Sequence, residues 1–246
     1  MREPAAPHPL WIGTAGWTIP SPDAADFPGR GSHLERYAAR FPCAEINSSF
    51  HRPHRPATYA RWAASVPDAF RFSVKLPKTI THTARLRDTE ALVDGFLEQA
   101  GHLGDRLGCL LVQLPPSLAL DADAAAAFFA HLRGRTGADV ACEPRHESWF
   151  TDEAQALLAE HGVARVAADP ARVPAAAEAG GSGKLAYFRL HGSPRTYYSA
   201  YEPAYLDRLA ATLRAEAAHR PAWCIFDNTA AGAATRDALE LVRRLA

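Results

Sequence analysis

Glu143 is the residue whose type and position most favour chemistry in this sequence. It ends an apolar run at residues 140–143 and is followed closely by Arg145 and His146. A carboxylate in such a place can act as a general acid or base, or can bind a metal ion. The other interpretation is an ion pair between Glu143 and Arg145 or Arg189, and the sequence leaves both open.

His191 is the second candidate, because imidazole titrates near neutral pH and suits proton transfer. One residue separates His191 from Arg189, so both side chains point to the same side of a strand. We expect His191 to act with Glu143 in acid–base chemistry, with Asp227 as a further catalytic carboxylate. A histidine that only hydrogen-bonds a neighbouring carboxylate is the alternative.

Lys75 is one of only three lysines in a chain that uses arginine for nearly all of its basic residues. A lysine at a strand end can form an imine with a carbonyl substrate, so we include it among the catalytic candidates. Neutralisation of Glu45 or Glu143, or binding of an anionic substrate, is the simpler interpretation of the same residue.

A further set of residues near the same strand ends is predicted to bind the substrate. The set is Asn47, Gln113, Arg145, Arg189, Asn228, Trp17 and Tyr198. Guanidinium groups would neutralise an anionic group, amides would orient it by hydrogen bonds, and aromatic rings would form walls. This mixture suits a small anionic or sugar-like ligand.

Eight short apolar runs, alternating with amphipathic stretches, must position these candidates. They lie at residues 10–14, 44–47, 70–76, 109–114, 140–143, 163–168, 186–190 and 223–226. The regular alternation is typical of βα units, and continuous apolar runs suit strands buried on both faces of a parallel sheet. We therefore predict the α/β class and a single (β/α)8 TIM-type barrel with a closed parallel sheet, whose site lies at the carboxyl ends of the strands.

The intervening segments are predicted to be helices, and one of them carries a clear start signal. They lie at residues 32–41, 58–66, 90–103, 122–133, 151–161, 205–219 and 235–245, and Ser32 with Glu35 forms a capping-box pattern. Residues 170–184 are predicted to form a short helix and a flexible loop. Residues 1–9 read as a flexible Pro-rich tail without the apolar core of a secretory signal, and the barrel domain spans 10–246.

Composition narrows the class of function. The chain has 246 residues, 48% of them hydrophobic, and a formal net charge of +0, which excludes a disordered or collagen-like chain. A neutral chain argues against a broad electrostatic surface for nucleic acid or membrane, and no apolar run is long enough to span a bilayer. The four cysteines form no CxxC pair and are predicted to be buried thiols, so the expected location is the cytoplasm.

Several motifs in one order resemble those of the DUF72 (YecE-like) family. They are Gly13-Thr-Ala-Gly-Trp17, Glu45-Ile-Asn-Ser-Ser-Phe50, Phe72-Ser-Val-Lys75, Thr81-His82, Leu110-Leu-Val-Gln-Leu-Pro-Pro116, Glu143-Pro-Arg-His-Glu-Ser-Trp149, Arg189-Leu-His-Gly192 and Asp227-Asn228. The resemblance covers about residues 10–246. It implies a TIM-type barrel and no particular reaction, because the family has no settled biochemical activity. His51 stands where the family often has Tyr, and Asp227 where it often has Asn.

Together these residues favour an enzyme, hydrolase- or lyase-like, acting on a small anionic or sugar-like ligand by acid–base or hydrolytic chemistry. A metal-dependent phosphodiesterase or nuclease acting on nucleic acid is the first alternative, although the HxH motif of one barrel hydrolase class is missing. Its ligands would come from His82, Glu143, His146, Asp169, His191 and Asp227. A non-catalytic ligand-binding module is the second alternative. The sequence assigns no metal ligand, cofactor, membrane partner or oligomeric state.

Overall fold

The computed structural model describes residues 8–246 of the chain, which fold into ten β-strands and seven α-helices. The strands are β1 (Leu10–Thr14), β2 (Cys43–Ile46), β3 (Arg71–Lys75), β4 (Leu107–Gln113), β5 (Asp139–Glu143), β6 (Val163–Arg165), β7 (Ala167–Asp169), β8 (Gly180–Gly181), β9 (Ala186–Leu190) and β10 (Ala222–Phe226). The helices are α1 (His33–Ala38), α2 (Pro56–Ala64), α3 (Glu90–Ala100), α4 (Ala122–Arg135), α5 (Asp152–Glu160), α6 (Pro203–Ala217) and α7 (Ala233–Leu245). All eight predicted strands and all seven predicted helices are confirmed.

The strands form two sheets in which nearly all neighbours are parallel. One sheet has the order β1-β10-β9-β7, and the other has the order β2-β3-β4-β5-β6-β8. Only the two-residue strand β8 pairs antiparallel, with β6. The glycine-rich segment predicted as a loop therefore includes a short strand, preceded by the expected short helix at Pro174–Ala177.

A single extended segment, residues 163–169, links the two sheets on one side. Its first half, β6, pairs with β5, and its second half, β7, pairs with β9. Val166 lies between the halves and donates its backbone N–H to the Cys142 carbonyl at 2.8 Å. The sixth predicted strand thus belongs to both sheets.

On the other side, β1 and β2 meet at a seam. Within residues 8–246 their ladder pairing consists of one parallel bridge, between Ala15 and Glu45. The Tyr37 hydroxyl completes the seam by accepting from the Thr14 N–H (2.8 Å) and donating to the Cys43 carbonyl (3.0 Å). The strands approach so closely that a Cβ at Gly13 would lie 2.2 Å from that carbonyl oxygen. The fold is α/β with parallel sheets, and the closed ring of the sequence analysis stays a prediction.

The buried apolar residues form two clusters, one on the outer face of the sheets and one on the inner face. The larger one lies between the strands and the helices and includes Phe72, Phe129 and Leu241. The smaller one, which we call the inner cluster, draws on strands of both sheets: Cys43, Cys109, Leu111, Ala141, Ala164, Val166, Leu185, Tyr187, Trp223 and Ile225. The four cysteines are buried free thiols, as predicted.

Local signals fix the helix starts close to the predicted positions. Ser32 and Glu35 form the expected capping box, and the Thr151 and Asp121 side chains cap α5 and α4. These side chains accept hydrogen bonds from backbone N–H groups that would otherwise lack partners in the first helical turn. None of the helices within residues 8–246 combines the length and apolar composition that crossing a membrane requires.

Residues 8 and 9, the last two of the predicted N-terminal tail, make backbone hydrogen bonds to the rest of the fold. His8 donates its N–H to the Ala217 carbonyl at 2.8 Å, and the Pro9 carbonyl accepts from Ala222 at 3.0 Å. The first bond ties residue 8 to the end of α6, and the second extends the β1–β10 pairing by one residue. The rest of the predicted tail, residues 1–7, lies outside the described residues.

Candidate functional site

The carboxyl ends of the parallel strands bring together five buried ionisable side chains, which we call the charged cluster. They are Glu45, Glu143, Arg189, His191 and Asp227. Each follows the end of an apolar strand or forms its last residues, and none is more than 5% exposed. Buried charges require partners because water cannot solvate them, and here the partners are one another.

Arg189 holds the three carboxylates together. It donates to Glu45 through Nε (3.0 Å) and Nη2 (2.7 Å), to Glu143 through Nη1 (2.6 Å), and to Asp227 through Nη2 (3.0 Å). The side chain is 0% exposed. Burial favours the neutral form of Arg189, but the three carboxylates raise its pKa. Four of its five N–H donors bond these carboxylates, so Arg189 organises the site, and its role in binding substrate stays a prediction.

Glu143 is equally well paired. Its Oε1 accepts from Gln113 (3.2 Å) and from Arg145 Nε (2.9 Å), while Oε2 accepts from Arg189. Burial favours the neutral acid, but Arg189, His191 and Arg145 hold the pKa of Glu143 well below its usual value. The carboxylate is therefore ionised and a weak base at neutral pH. The ion pairs that the sequence offered as the alternative are both present.

His191 lies between two carboxylates. Its Nδ1 is 3.1 Å from Asp227 Oδ2, and its Nε2 is 3.2 Å from Glu143 Oε1. Burial lowers the pKa of the imidazole, but Glu143 and Asp227 together raise it above its ordinary value. Both ring nitrogens face acceptors, so the protonated ring fits the site. Glu143 and His191, which the sequence analysis expects to act together, are in hydrogen-bonding contact, and their joint chemistry stays a prediction.

Asp227 connects this cluster to the solvent-facing side of the site. Burial raises its pKa, but Arg189 and His191 outweigh that effect and lower it. Its second oxygen lies 3.5 Å from Asn47 Nδ2. Asp227 is thus an ionised carboxylate held from three sides.

Two further polar residues below the charged cluster were missed by the sequence analysis. The Tyr187 hydroxyl lies 3.2 Å from Glu45 Oε2 and 2.7 Å from Ser73 Oγ. Tyr187 precedes Arg189 by two residues, and Ser73 precedes Lys75 by two. Strand alternation places each pair on one face of its strand, and that signal would have found both.

Lys75 differs from Arg145, Arg189 and His191, each of which lies within 4.0 Å of a carboxylate. Within residues 8–246 no ion pair of 4.0 Å or less includes its ammonium, which instead lies 4.2 Å from the centre of the Phe50 ring. The Lys75 carbonyl accepts from Ser49 Oγ at 2.6 Å, and this bond fixes the turn that carries Phe50. Burial first, and Arg189 second, lower the pKa of Lys75 to about 8. Lys75 therefore does not neutralise Glu45 or Glu143 by direct contact, which was the simpler interpretation of the sequence.

Two cavities open at these strand ends. The larger, of 560 Å³, is lined by Asn47, Phe50, His51, Lys75, His82, Gln113, Arg145, Tyr197, Tyr198, Asp227, Thr229 and Ala230. The smaller, of 380 Å³, includes Glu143, Arg145, Arg172, His191 and Tyr197 in its wall. Arg145 and Tyr197 line both, so they separate the space beside Lys75 from the space beside His191.

Only some of the residues predicted to bind substrate line the two cavities. Asn47, Gln113, Arg145 and Tyr198 line the larger cavity. Trp17 is not among the lining residues of either cavity. Its ring packs edge-on against Trp62 at 5.0 Å and lies 6.0 Å from Phe72, so its predicted role as a substrate wall is corrected to core packing.

Asn228 also turns away from the mouth. Its Nδ2 donates to Asp237 Oδ2 (2.7 Å) and to the Ser199 carbonyl (2.8 Å). Asp237 also accepts from the Tyr201 N–H at 3.2 Å. The Nδ2 of Asn228 therefore fixes the loop between β9 and α6, and a role of this residue in substrate binding stays a prediction.

That loop carries Tyr197 and Tyr198 over the mouth. Gly192, at φ +91°, lets the chain turn sharply after His191, and the Ala230 N–H donates to the Tyr197 carbonyl at 3.0 Å. The Tyr201 hydroxyl donates to Asp169 Oδ1 at 2.9 Å. The loop is therefore attached to the strand ends at several points.

The residues suggested as metal ligands for a phosphodiesterase do not form one set. Among residues 8–246 no three His, Cys, Asp or Glu side chains are grouped as a metal ion requires. Asp169 accepts from Tyr201, and His146 bonds Ser148 at the start of the helical turn Glu147–Phe150. His82 lies beside Thr81 and Phe50, on the far side of the larger cavity from His191.

Fold and site together define a parallel α/β protein with a buried charged cluster at its strand ends. A family model described as "Protein of unknown function DUF72" matches residues 11–246, and the chain belongs to this family. The UPF0759 protein YecE of Escherichia coli K12 is 34% identical over 173 residues. That alignment covers 68% of this chain and 61% of the length of YecE, so the match spans less than two thirds of the relative.

Solved structures of DUF72 family proteins share this fold. One from Enterococcus faecalis V583 (EF0366) has a TM-score of 0.79 at 19% identity and covers 96% of this chain and 95% of its own. One from Thermotoga maritima MSB8 (TM1631) has a TM-score of 0.77 at 23% identity, over 96% and 98%. A fusion protein whose description includes a xylose isomerase-like TIM barrel has a TM-score of 0.52 at 14% identity, over 97% of this chain and 42% of its own. At these identities the likeness concerns the fold alone.

Proposed function

We propose that this protein is an enzyme that binds a small anionic or sugar-like metabolite in the 560 Å³ cavity and performs acid–base chemistry on it. The proposal treats the two sheets as the halves of one barrel, with the cavity at its carboxyl-end mouth. Active sites of such folds lie at that mouth. Because the four cysteines are buried free thiols, we also propose a cytoplasmic location.

The observation that carries the proposal is the positive charge left uncancelled beside the cavity. Glu45, Glu143 and Asp227 are matched by Arg189, Arg145 and the protonated His191. The Lys75 ammonium is then in excess, and it lines the larger cavity with Arg145. An anionic group bound between these two cations would complete the charge balance. Asn47 and Gln113 offer amide groups at the same wall.

The groups able to move protons are Lys75 and His191 rather than Glu143. Glu143 and Asp227 are held ionised and fully bonded, so they set the charge of the groups around them. Lys75, with its pKa lowered to about 8, can exchange a proton near neutral pH. His191, with its raised pKa, can hold a proton beside the smaller cavity.

Binding is tested by thermal stability in the presence of inorganic phosphate and small carboxylates. We expect a saturable rise in Tm for the wild type and for Lys184→Met, which removes an exposed lysine elsewhere. Lys75→Met should abolish the rise while leaving the ligand-free protein folded. An equal response in Lys75→Met, or no response of the wild type to any anion, contradicts the proposal.

Chemistry is tested with a panel of sugar phosphates and small acids followed by NMR. We expect loss of at least one compound with wild-type protein and with Lys184→Met, and none with Lys75→Met. Binding without turnover of any compound would instead support the non-catalytic binding module.

A further inference from the structure

We propose that the Lys75 amine is a covalent nucleophile, which forms an imine with an aldehyde or ketone that also carries a carboxylate or phosphate group. This inference rests on the proposed function and names its substrate class. It goes beyond anion binding, because it assigns Lys75 a bond to the substrate carbon rather than a contact of charges.

The first argument is the absence of an ion-pair partner for Lys75. Within the described chain Arg145, Arg189 and His191 each lie within 4.0 Å of a carboxylate, whereas Lys75 Nζ lies over the Phe50 ring. A lysine used only to neutralise a carboxylate would contact one. An aromatic face stabilises the ammonium without occupying the nitrogen lone pair that appears when the proton leaves.

The second argument is the position of Lys75 in the cavity. The residue is only 6% exposed, yet it lines the 560 Å³ space with Arg145 and Gln113. Arg145 bonds Glu143 through Nε and Nη2, and its remaining N–H groups can hold the anionic group of a bound molecule. A carbonyl group on the same molecule would then face Lys75. Two anchors of different chemistry favour a substrate with both groups.

The third argument is that the amine is available at neutral pH. An ordinary lysine, with a pKa near 10.5, is almost entirely protonated there, whereas burial and Arg189 lower the pKa of Lys75 to about 8. About a tenth of the molecules then carry the neutral amine at pH 7. The neutral form is the one that attacks a carbonyl carbon.

The step balances with groups already in the cavity. The Lys75 lone pair forms a bond to the carbonyl carbon, and the carbonyl electron pair moves to its oxygen, which takes up a proton. The nitrogen gives up its two protons, one as the carbinolamine forms and one as the C=N bond forms, and the oxygen takes up both and leaves as water when the C–O bond breaks. His82 lines the cavity, and burial, Lys75 and Arg145 lower its pKa, so its neutral imidazole can carry each proton from the nitrogen to the oxygen.

The experiment uses the fact that the chain contains only three lysines, Lys75, Lys78 and Lys184. Wild-type protein is incubated at pH 7 with glyoxylate, an anionic aldehyde, and borohydride, and the reduced adducts are located by peptide mass spectrometry. Lys78 and Lys184 are exposed and serve as internal controls in the same molecule. Glycolaldehyde, a neutral aldehyde of similar size, is the matched probe.

We expect glyoxylate to label Lys75 at least about tenfold faster than Lys78 or Lys184, because its neutral fraction is larger. Glycolaldehyde should show a weaker preference, and inorganic phosphate should slow the labelling of Lys75 alone. Equal rates at the three lysines, or faster labelling of the exposed two, overturn the inference.

Lys75→Arg separates this inference from the proposed function. Arginine keeps the positive charge but cannot form the imine, so phosphate should still raise Tm while the fast labelling disappears. If wild type and Lys75→Arg both bind phosphate and wild-type Lys75 shows no preference for glyoxylate, anion binding stands and the nucleophile is refuted. If neither binds phosphate, the proposed function fails first.

Discussion

Two layers of buried side chains lie on the inner face of the same strands, and one is mostly apolar whereas the other is polar or charged. Along β2, β3, β4, β5, β9 and β10 an inner residue, from the inner cluster in every strand but β3, where it is Ser73, lies two positions before a residue of the site, so both face the interior. The pairs are Cys43 and Glu45, Ser73 and Lys75, Leu111 and Gln113, Ala141 and Glu143, Tyr187 and Arg189, and Ile225 and Asp227. All twelve residues are buried, but the first members are mostly apolar and the second are polar or charged.

The comparison shows how differently the layers depend on their neighbours. An apolar side chain loses contact area when a neighbour is truncated, and the cost follows the cavity left behind. A member of the charged cluster loses its substitute for water when a neighbour is removed, because its partners are the other members. The charged cluster is therefore cooperative and sensitive to pH, and the inner cluster is neither.

The largest expected effect comes from Arg189→Met, which leaves three buried carboxylates without their shared partner. We expect a loss of about 3–5 kcal/mol in the free energy of unfolding at pH 7. The loss should shrink as the pH falls towards about 4, because Glu143 and Asp227, whose pKa values Arg189 lowers, take up protons in its absence. Urea unfolding of wild type and variant across this range measures it.

Leu111→Ala is the matched change in the inner cluster. It should cost about 2–5 kcal/mol, and that cost should be the same at both pH values because no charge changes. A pH-independent loss for Arg189→Met would break the contrast between the two layers.

A smaller effect, of opposite pH dependence, is expected for His191→Gln. The pKa of His191 is raised in the folded protein, so its stabilisation is fully present below about pH 6.5, its unfolded value. It is lost as the pH rises through the raised pKa. The variant should therefore be less stable than wild type by about 2 kcal/mol at pH 6, and by less at pH 9.

Unfolding by urea at the two pH values checks this prediction, with His219→Gln as the control. His219 is exposed, and its replacement should change stability by no more than about 0.5 kcal/mol at either pH. A difference that grows with pH for His191→Gln would show that the ring is neutral in the folded protein.

The smallest effect should follow Asn228→Ala, which lies outside both layers. Loss of its bonds to Asp237 and Ser199 should cost about 1 kcal/mol and speed amide hydrogen exchange in residues 192–202. The exposed neighbour Thr229 provides the control substitution to Ala. Faster exchange in β9 itself, rather than in the loop, would show that Asn228 stabilises the charged cluster instead of the loop.

Much of the fold and the location of the site followed from the sequence. Alternation of apolar runs with amphipathic stretches predicted the strands, and the capping box at Ser32 predicted the start of α1. The polar ends of the runs predicted a shared site because parallel strands end on one side. Glu143, His191, Lys75 and Asp227 do lie at that end, although what each does there was not fixed by local pattern.

The roles were missed where they depend on partners distant in the chain. Arg189 bonds Glu143 and Glu45, which lie 46 and 144 positions away in the chain, and no local pattern shows these bonds. Trp17 packs on Trp62 because α2 reaches that strand end, and Asn228 turns to Asp237 on α7. Lys75 was expected to pair because carboxylates lie nearby, but Arg189 already holds them.

The β1–β2 seam has a consequence for the time course of folding on the ribosome. β1 has one bridge to β2 but five paired positions with β10, beginning with Leu10 opposite Ala222. The first strand is therefore synthesised almost an entire chain ahead of its main partner. At typical rates of synthesis it waits about 10–40 s, with Trp11 and Ile12 uncovered for chaperones to bind. β1 can therefore complete its pairing only after β10 has been synthesised.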